Sequence, residues 1–101
     1  MFADNVKNIL RDRRLLDSED YIPIEELWGK LTSLLSENVR QTIDFLDNCS
    51  SDEAEWISEV FEDIAYNLQS WDYIDCLKRL LKKYPDANLD SSVQVAENYM
   101  Q

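Results

Sequence analysis

The sequence predicts an all-α fold, a single-domain bundle of five to six antiparallel helices over residues 1–101, and three observations carry that expectation. Apolar residues recur at i, i+3, i+4 and i+7 along almost the whole chain, the period of helices that each bury one face. One glycine and two prolines among 101 residues leave too little material for the tight hairpins of a sheet protein. Hydrophobic residues make up 45% of the chain and include three Trp, five Tyr and three Phe. That is enough apolar surface for one core in a chain too short for two.

The first helix is expected from Phe2 to about Leu16, with Phe2, Val6, Ile9 and Leu10 facing inward. Arg11, Arg13 and Arg14 crowd its C-terminal half, where cations complement the helix dipole; the alternative is that they pair with acidic residues further along. Ser18 to Ile22 reads as a connection, and Pro23 as the first residue of a second helix, where its missing N–H is not needed. Ile24, Leu27, Leu31, Leu34 and Leu35 form the stripe of that helix. Gly29 inside it costs about 1 kcal/mol relative to alanine, which points to a close helix contact or a bend. Ser36 is the candidate cap of a third helix carrying Val39, Ile43 and Leu46, and a single kinked rod spanning the second and third fits the pattern equally.

Ser50 and Glu53 have capping-box spacing and predict the start of a fourth helix with Ile57, Val60, Phe61, Ile64 and Leu68 on one side. Ser70 then caps a fifth, with Tyr73, Leu77, Leu80, Leu81 and Tyr84 toward the core. Lys78, Arg79, Lys82 and Lys83 crowd its C-terminal half, and Pro85 stops it. Trp71 projects more than about 100° from the centre of that stripe, and the alternative is that the cap region tilts it inward against Trp56 or the third helix. A turn at Asp86-Ala87-Asn88 leads to a short last helix from about Ser91, with Val93, Ala96 and Met100 on one face.

The net charge of −11 is unevenly placed. Residues 41–77 contain ten carboxylates and no Lys, Arg or His, whereas residues 1–40 sum to −2 and residues 78–101 to +1. So one-sided a field repels nucleic acid and anionic membranes and attracts a basic protein partner. Residues MFADNVKNILRDRR are charged from the fourth position and lack the apolar core of a signal peptide. The longest uncharged stretch, Ile64 to Trp71, is eight residues, far below the ~20 that span a bilayer. A cytoplasmic location is therefore expected, with Cys49 and Cys76 reduced and serving as small apolar packing residues.

Catalytic chemistry has little to draw on. There is no histidine to act as base or zinc ligand, and the single glycine rules out a phosphate-cradling loop. No catalytic residue, metal site, cofactor or small-molecule substrate is expected. Carboxylates are plentiful, but at i, i+3 and i+4 on an amphipathic helix their plainest role is a solvated face. The competing role is a protein-binding surface, because like charges at i, i+4, such as Glu55 with Glu59, cost a few tenths of a kcal/mol. At 100° per residue, Asp52, Glu55, Glu59, Glu62, Asp63 and Tyr66 fall within about a third of the circumference of one helix, opposite its apolar stripe. With Trp71 and Asp72 at the start of the next helix they form the predicted partner-binding set, Trp being enriched at the centres of binding surfaces.

The block Trp56-Ile-Ser-Glu-Val-Phe-Glu-Asp-Ile64, Gln69-Ser70 and Tyr73-Ile-Asp-Cys-Leu-Lys-Arg-Leu-Leu-Lys-Lys-Tyr-Pro85, preceded by Ile43-Asp-Phe-Leu46, resembles the central part of bacterial immunity proteins of the contact-dependent growth inhibition type. The likeness covers about residues 43–86, and the first 40 residues show no counterpart. The resemblance implies a cytoplasmic protein, not an enzyme, that binds and neutralises a cognate toxin domain at the C-terminus of a larger secreted protein. Many such toxins are nucleases with basic active sites, which an acidic helix face would suit. The alternative function is an acidic helical adaptor or regulatory module that binds some other basic cytoplasmic protein.

Overall fold

The helix signals become seven α-helical segments in the computed structural model, which describes all residues from Met1 to Gln101. They are α1 (Phe2–Arg14), α2 (Tyr21–Leu35), α3 (Val39–Asn48), α4 (Ser51–Ile57), α5 (Phe61–Leu68), α6 (Trp71–Lys83) and α7 (Asp90–Asn98). A single 3-10 turn, Ser58–Val60, separates α4 from α5, so the two are one helix with a break and the chain has six helical arms and no strand.

Side-chain caps start three of the helices, α3, α4 and α6. The predicted capping box is present: the Glu53 N–H donates to Ser50 Oγ at 3.1 Å and the Ser50 N–H donates to Glu53 Oε1 at 2.9 Å. Ser70 accepts from the Tyr73 N–H at 3.2 Å and starts α6 in the same way. Three expectations change. α2 begins two residues earlier than Pro23, which occupies the third helical position, where an N–H is still not required. The cap of α3 is Asn38, not Ser36: Ser36 keeps a helical backbone (φ −98°, ψ −1°) as the end of α2, whereas Asn38 is extended and accepts from the Gln41 N–H at 3.1 Å. α2 and α3 are thus separate helices. A Cβ built on Gly29 would meet nothing within 4 Å, so no close helix contact explains that glycine.

One apolar cluster joins all the arms. Val6 and Leu10 of α1, Leu31 and Leu35 of α2, and Phe45 and Leu46 of α3 pack with Ile57, Val60, Phe61 and Ile64 of the broken helix. Tyr73, Ile74, Leu77 and Leu80 of α6 and Val93 and Ala96 of α7 complete it. The closest pairings are α5 with α7, α3 with α6, and α1 with α2. The radius of gyration is 12.5 Å, near the ~13 Å of a folded chain of this length. Polar groups inside are satisfied: Tyr73 Oη donates to the Phe61 carbonyl at 3.0 Å and Thr42 Oγ1 to the Leu35 carbonyl at 2.7 Å. No buried side-chain nitrogen or oxygen lacks a partner.

The basic end of α6 is used internally. Arg79 grips the Asp47 carboxylate through Nε and Nη2, Lys83 Nζ donates to the Asp47 carbonyl at 3.2 Å, and Tyr84 Oη donates to the Cys49 carbonyl at 2.7 Å. These bonds satisfy carbonyls left open at the C-terminal end of α3. Gln69 ends α5 in the left-handed region (φ 47°), and its side-chain amide donates to the Tyr66 and Tyr99 carbonyls, fastening the end of α7.

Candidate functional site

The predicted acidic face crosses the break in its helix. Val60, at the end of the 3-10 turn, leaves the helical conformation (φ −123°, ψ 12°). Asp52 and Glu55 on α4 and Glu62, Asp63 and Tyr66 on α5 therefore do not lie on one unbroken helix, and the single stripe expected from one is divided.

Two of the eight predicted residues are engaged by the chain itself. Arg13 Nε and Nη2 donate to the two oxygens of Glu59, each at 2.9 Å, and Trp28 Nε1 donates to Glu59 Oε1 at 3.0 Å. Arg13 also lies over the Trp56 ring, 4.8 Å from its centroid. Glu59 is thus the half-buried junction of α1, α2 and the 3-10 turn. Arg14 forms an ion pair with Asp52. Of the two roles open to the arginines of α1, pairing with the acidic middle holds for Arg13 and Arg14.

The other six have no cation of the chain in contact. Glu55, Asp63 and Asp72 are exposed and Glu62 is half-buried. Tyr66 keeps 59% of its surface exposed and Trp71 55%, so the predicted outward direction of Trp71 holds. These residues distribute over neighbouring concavities. Asp63 and Tyr66 border a shallow depression between α2 and α5. Glu59 and Glu62 line another against Ser91 and Ser92 of α7. Asp72 lies in an open groove of about 330 Å³ between α3 and α6, floored by Val39 and Ile43. Asp44 and Asp75 share that groove with Arg40 and Arg79, so its charge is mixed; the two carboxylates were not among the predicted residues, and their place in the base-free run was the available signal. The largest depression, about 640 Å³, lies between α1 and α3 around Phe2 and Phe45, away from all eight.

Neither cysteine is activated as a nucleophile. Both cysteines are buried and unbridged. Burial, reinforced by the Glu53 carboxylate, pushes the Cys49 thiol up to about 11. Burial, reinforced by Asp47, pushes the Cys76 thiol up to about 12. Both remain thiols at neutral pH. No group of three or more Cys, Asp or Glu side chains is placed to hold a metal ion, and no helix is long and apolar enough to cross a membrane. No protein-family model matches the chain, and neither a curated protein nor a solved structure matches it.

Proposed function

We propose that this chain is an immunity protein that binds a cognate toxin domain of the contact-dependent growth inhibition type and neutralises it by covering a basic surface. The observation that carries the reading is a set of carboxylates without an ion-pair partner in the chain, Glu55, Glu62, Asp63 and Asp72, together with the exposed rings of Tyr66 and Trp71. Carboxylates that the fold leaves unneutralised raise the on-rate of a cationic partner, and exposed Tyr and Trp supply the apolar anchors that charge alone does not. The resemblance of residues 43–86 to immunity proteins gives the partner its class. The scaffold belonging to this reading is an antiparallel bundle that acts as a rigid support, binding without chemistry, in the cytoplasm where the toxin acts.

The experiment is co-expression with the toxin domain encoded immediately upstream. The expected result is protection of the cell and a stoichiometric complex on purification. Replacing Glu55, Glu62 and Asp63 by lysine, with Glu59 left in place, is expected to slow association at least tenfold at low salt while helicity is retained. Failure to form a complex overturns the immunity reading. A complex with unchanged association kinetics overturns the acidic face as its docking surface.

A further inference from the structure

Apart from the terminal Met1, the apolar residues most exposed to solvent gather elsewhere. Leu15, Tyr21 and Ile22 are 78%, 68% and 72% exposed, and all three fall within eight positions at the corner where α1 turns into α2. Large exposed apolar side chains concentrated at one corner mark an interaction site more often than scattered ones do. Beneath Tyr21 lies a hole of about 170 Å³, walled by Arg13, Ser18, Ile24 and Trp28, with room for one aliphatic side chain. Two of its walls are fixed, because Arg13 and Trp28 are both held by Glu59. The segment around it is predominantly acidic: Asp17, Glu19, Asp20, Glu25 and Glu26 are all exposed, no Lys or Arg occurs between Arg14 and Lys30, and the Arg13 in its wall is already paired with Glu59. Glu25 and Glu26 share a helix face with Ile22, being three and four residues on.

We propose that this corner is a docking surface for a basic amphipathic helix of a partner protein, which seats one apolar side chain in the hole under Tyr21 and sets lysines or arginines against the surrounding carboxylates. Charge selects this occupant. A second copy of the chain would bring five carboxylates against five, and an anionic membrane would be repelled in the same way. A helix with an apolar stripe flanked by cations matches both the exposed apolar residues and their rim. The surface does not depend on the immunity reading, since it is built from the first 30 residues, which lie outside the block that carries the resemblance.

The test titrates isotopically labelled protein with an 18-residue helical peptide of leucine and lysine whose leucines recur at i, i+3, i+4 and i+7, with chemical shifts read residue by residue. The expected result is saturable binding that shifts Leu15, Tyr21, Ile22 and the Trp28 indole N–H. Replacing Tyr21 and Ile22 together by serine, both outside the core, should weaken it at least tenfold, and a peptide with serine in place of leucine should leave those signals unmoved. Shifts confined to α5 and α6, an affinity unaffected by the serine variant, or no binding would each overturn the proposal. A dimer in sedimentation that the same variant dissolves would assign the corner to a second copy instead and overturn it too.

Discussion

Seven of the ten carboxylates of residues 41–77 fall into two populations that the sequence writes identically. Asp47, Asp52 and Glu59 are met by Arg79, Arg14 and Arg13 and hold α3 to α6 and α1 to the broken helix. Glu55, Glu62, Asp63 and Asp72 meet no cation of the chain and face outward or into shallow grooves. The first population is an internal adhesive and the second a free charge reserve. The base-free run therefore does not present its ten charges to a partner as one block. The cations that neutralise the paired carboxylates come from both flanks, the arginines of α1 and the basic end of α6.

The largest expected effect is alkaline. Burial, reinforced by Glu53 beside Cys49 and by the paired Asp47 beside Cys76, raises both thiols above their unfolded value of 9.0. The unfolded chain then releases protons at a pH where the folded chain retains them, so this contribution to stability is complete below pH 9 and is lost as pH rises toward 11–12. With about 1.4 kcal/mol per unit for each thiol, wild-type protein should lose roughly 3 kcal/mol between pH 8 and pH 10. The Cys49→Ala, Cys76→Ala double variant should lose far less over that interval in urea titrations. Equal losses would show that the thiols do not carry the alkaline effect.

Next in size is a direct contrast between the populations. Glu59→Ala leaves the Arg13 guanidinium and the Trp28 N–H without their acceptor at a half-buried junction, and is expected to cost about 2–3 kcal/mol. Glu55→Ala removes an exposed charge and is expected to change stability by less than about 0.5 kcal/mol. Similar values for the two in equilibrium unfolding would dissolve the division.

The all-helical class, the box at Ser50 and Glu53, the Ser70 cap and the outward Trp71 were legible in the sequence because each depends on residues within one turn of one another. The break at Ser58–Val60 was not. No glycine or proline marks it, and Glu59 there bonds residues 46 and 31 positions away in the chain, which no local period encodes. The same distance hid the division of the site, since a helical projection assigns Glu59 and Glu62 to one face without knowing that an arginine from α1 waits on one of them. Gln69 escaped notice because left-handed helix ends favour Gly or Asn, and its amide contacts reach as far as Tyr99.

The smallest effect concerns Gly29, which borders the outward side of this comparison, in the shallow depression shared with Asp63 and Tyr66. Its backbone is not in the left-handed region, and an added Cβ meets open space. Neither conformation nor packing requires glycine there, so the helix carries only the entropic cost of its flexibility. Gly29→Ala is therefore expected to stabilise the protein by up to about 1 kcal/mol, raising the calorimetric midpoint by roughly 4–8 °C for a domain of this size. Because the new methyl group projects into the depression and not into the core, the gain should appear without any change in the Glu59 junction, and Glu59→Ala should cost the same in either background. A lowered midpoint would mean that another group closes on Gly29, and the α2–α5 depression would then belong to the packed interior and not to the free surface.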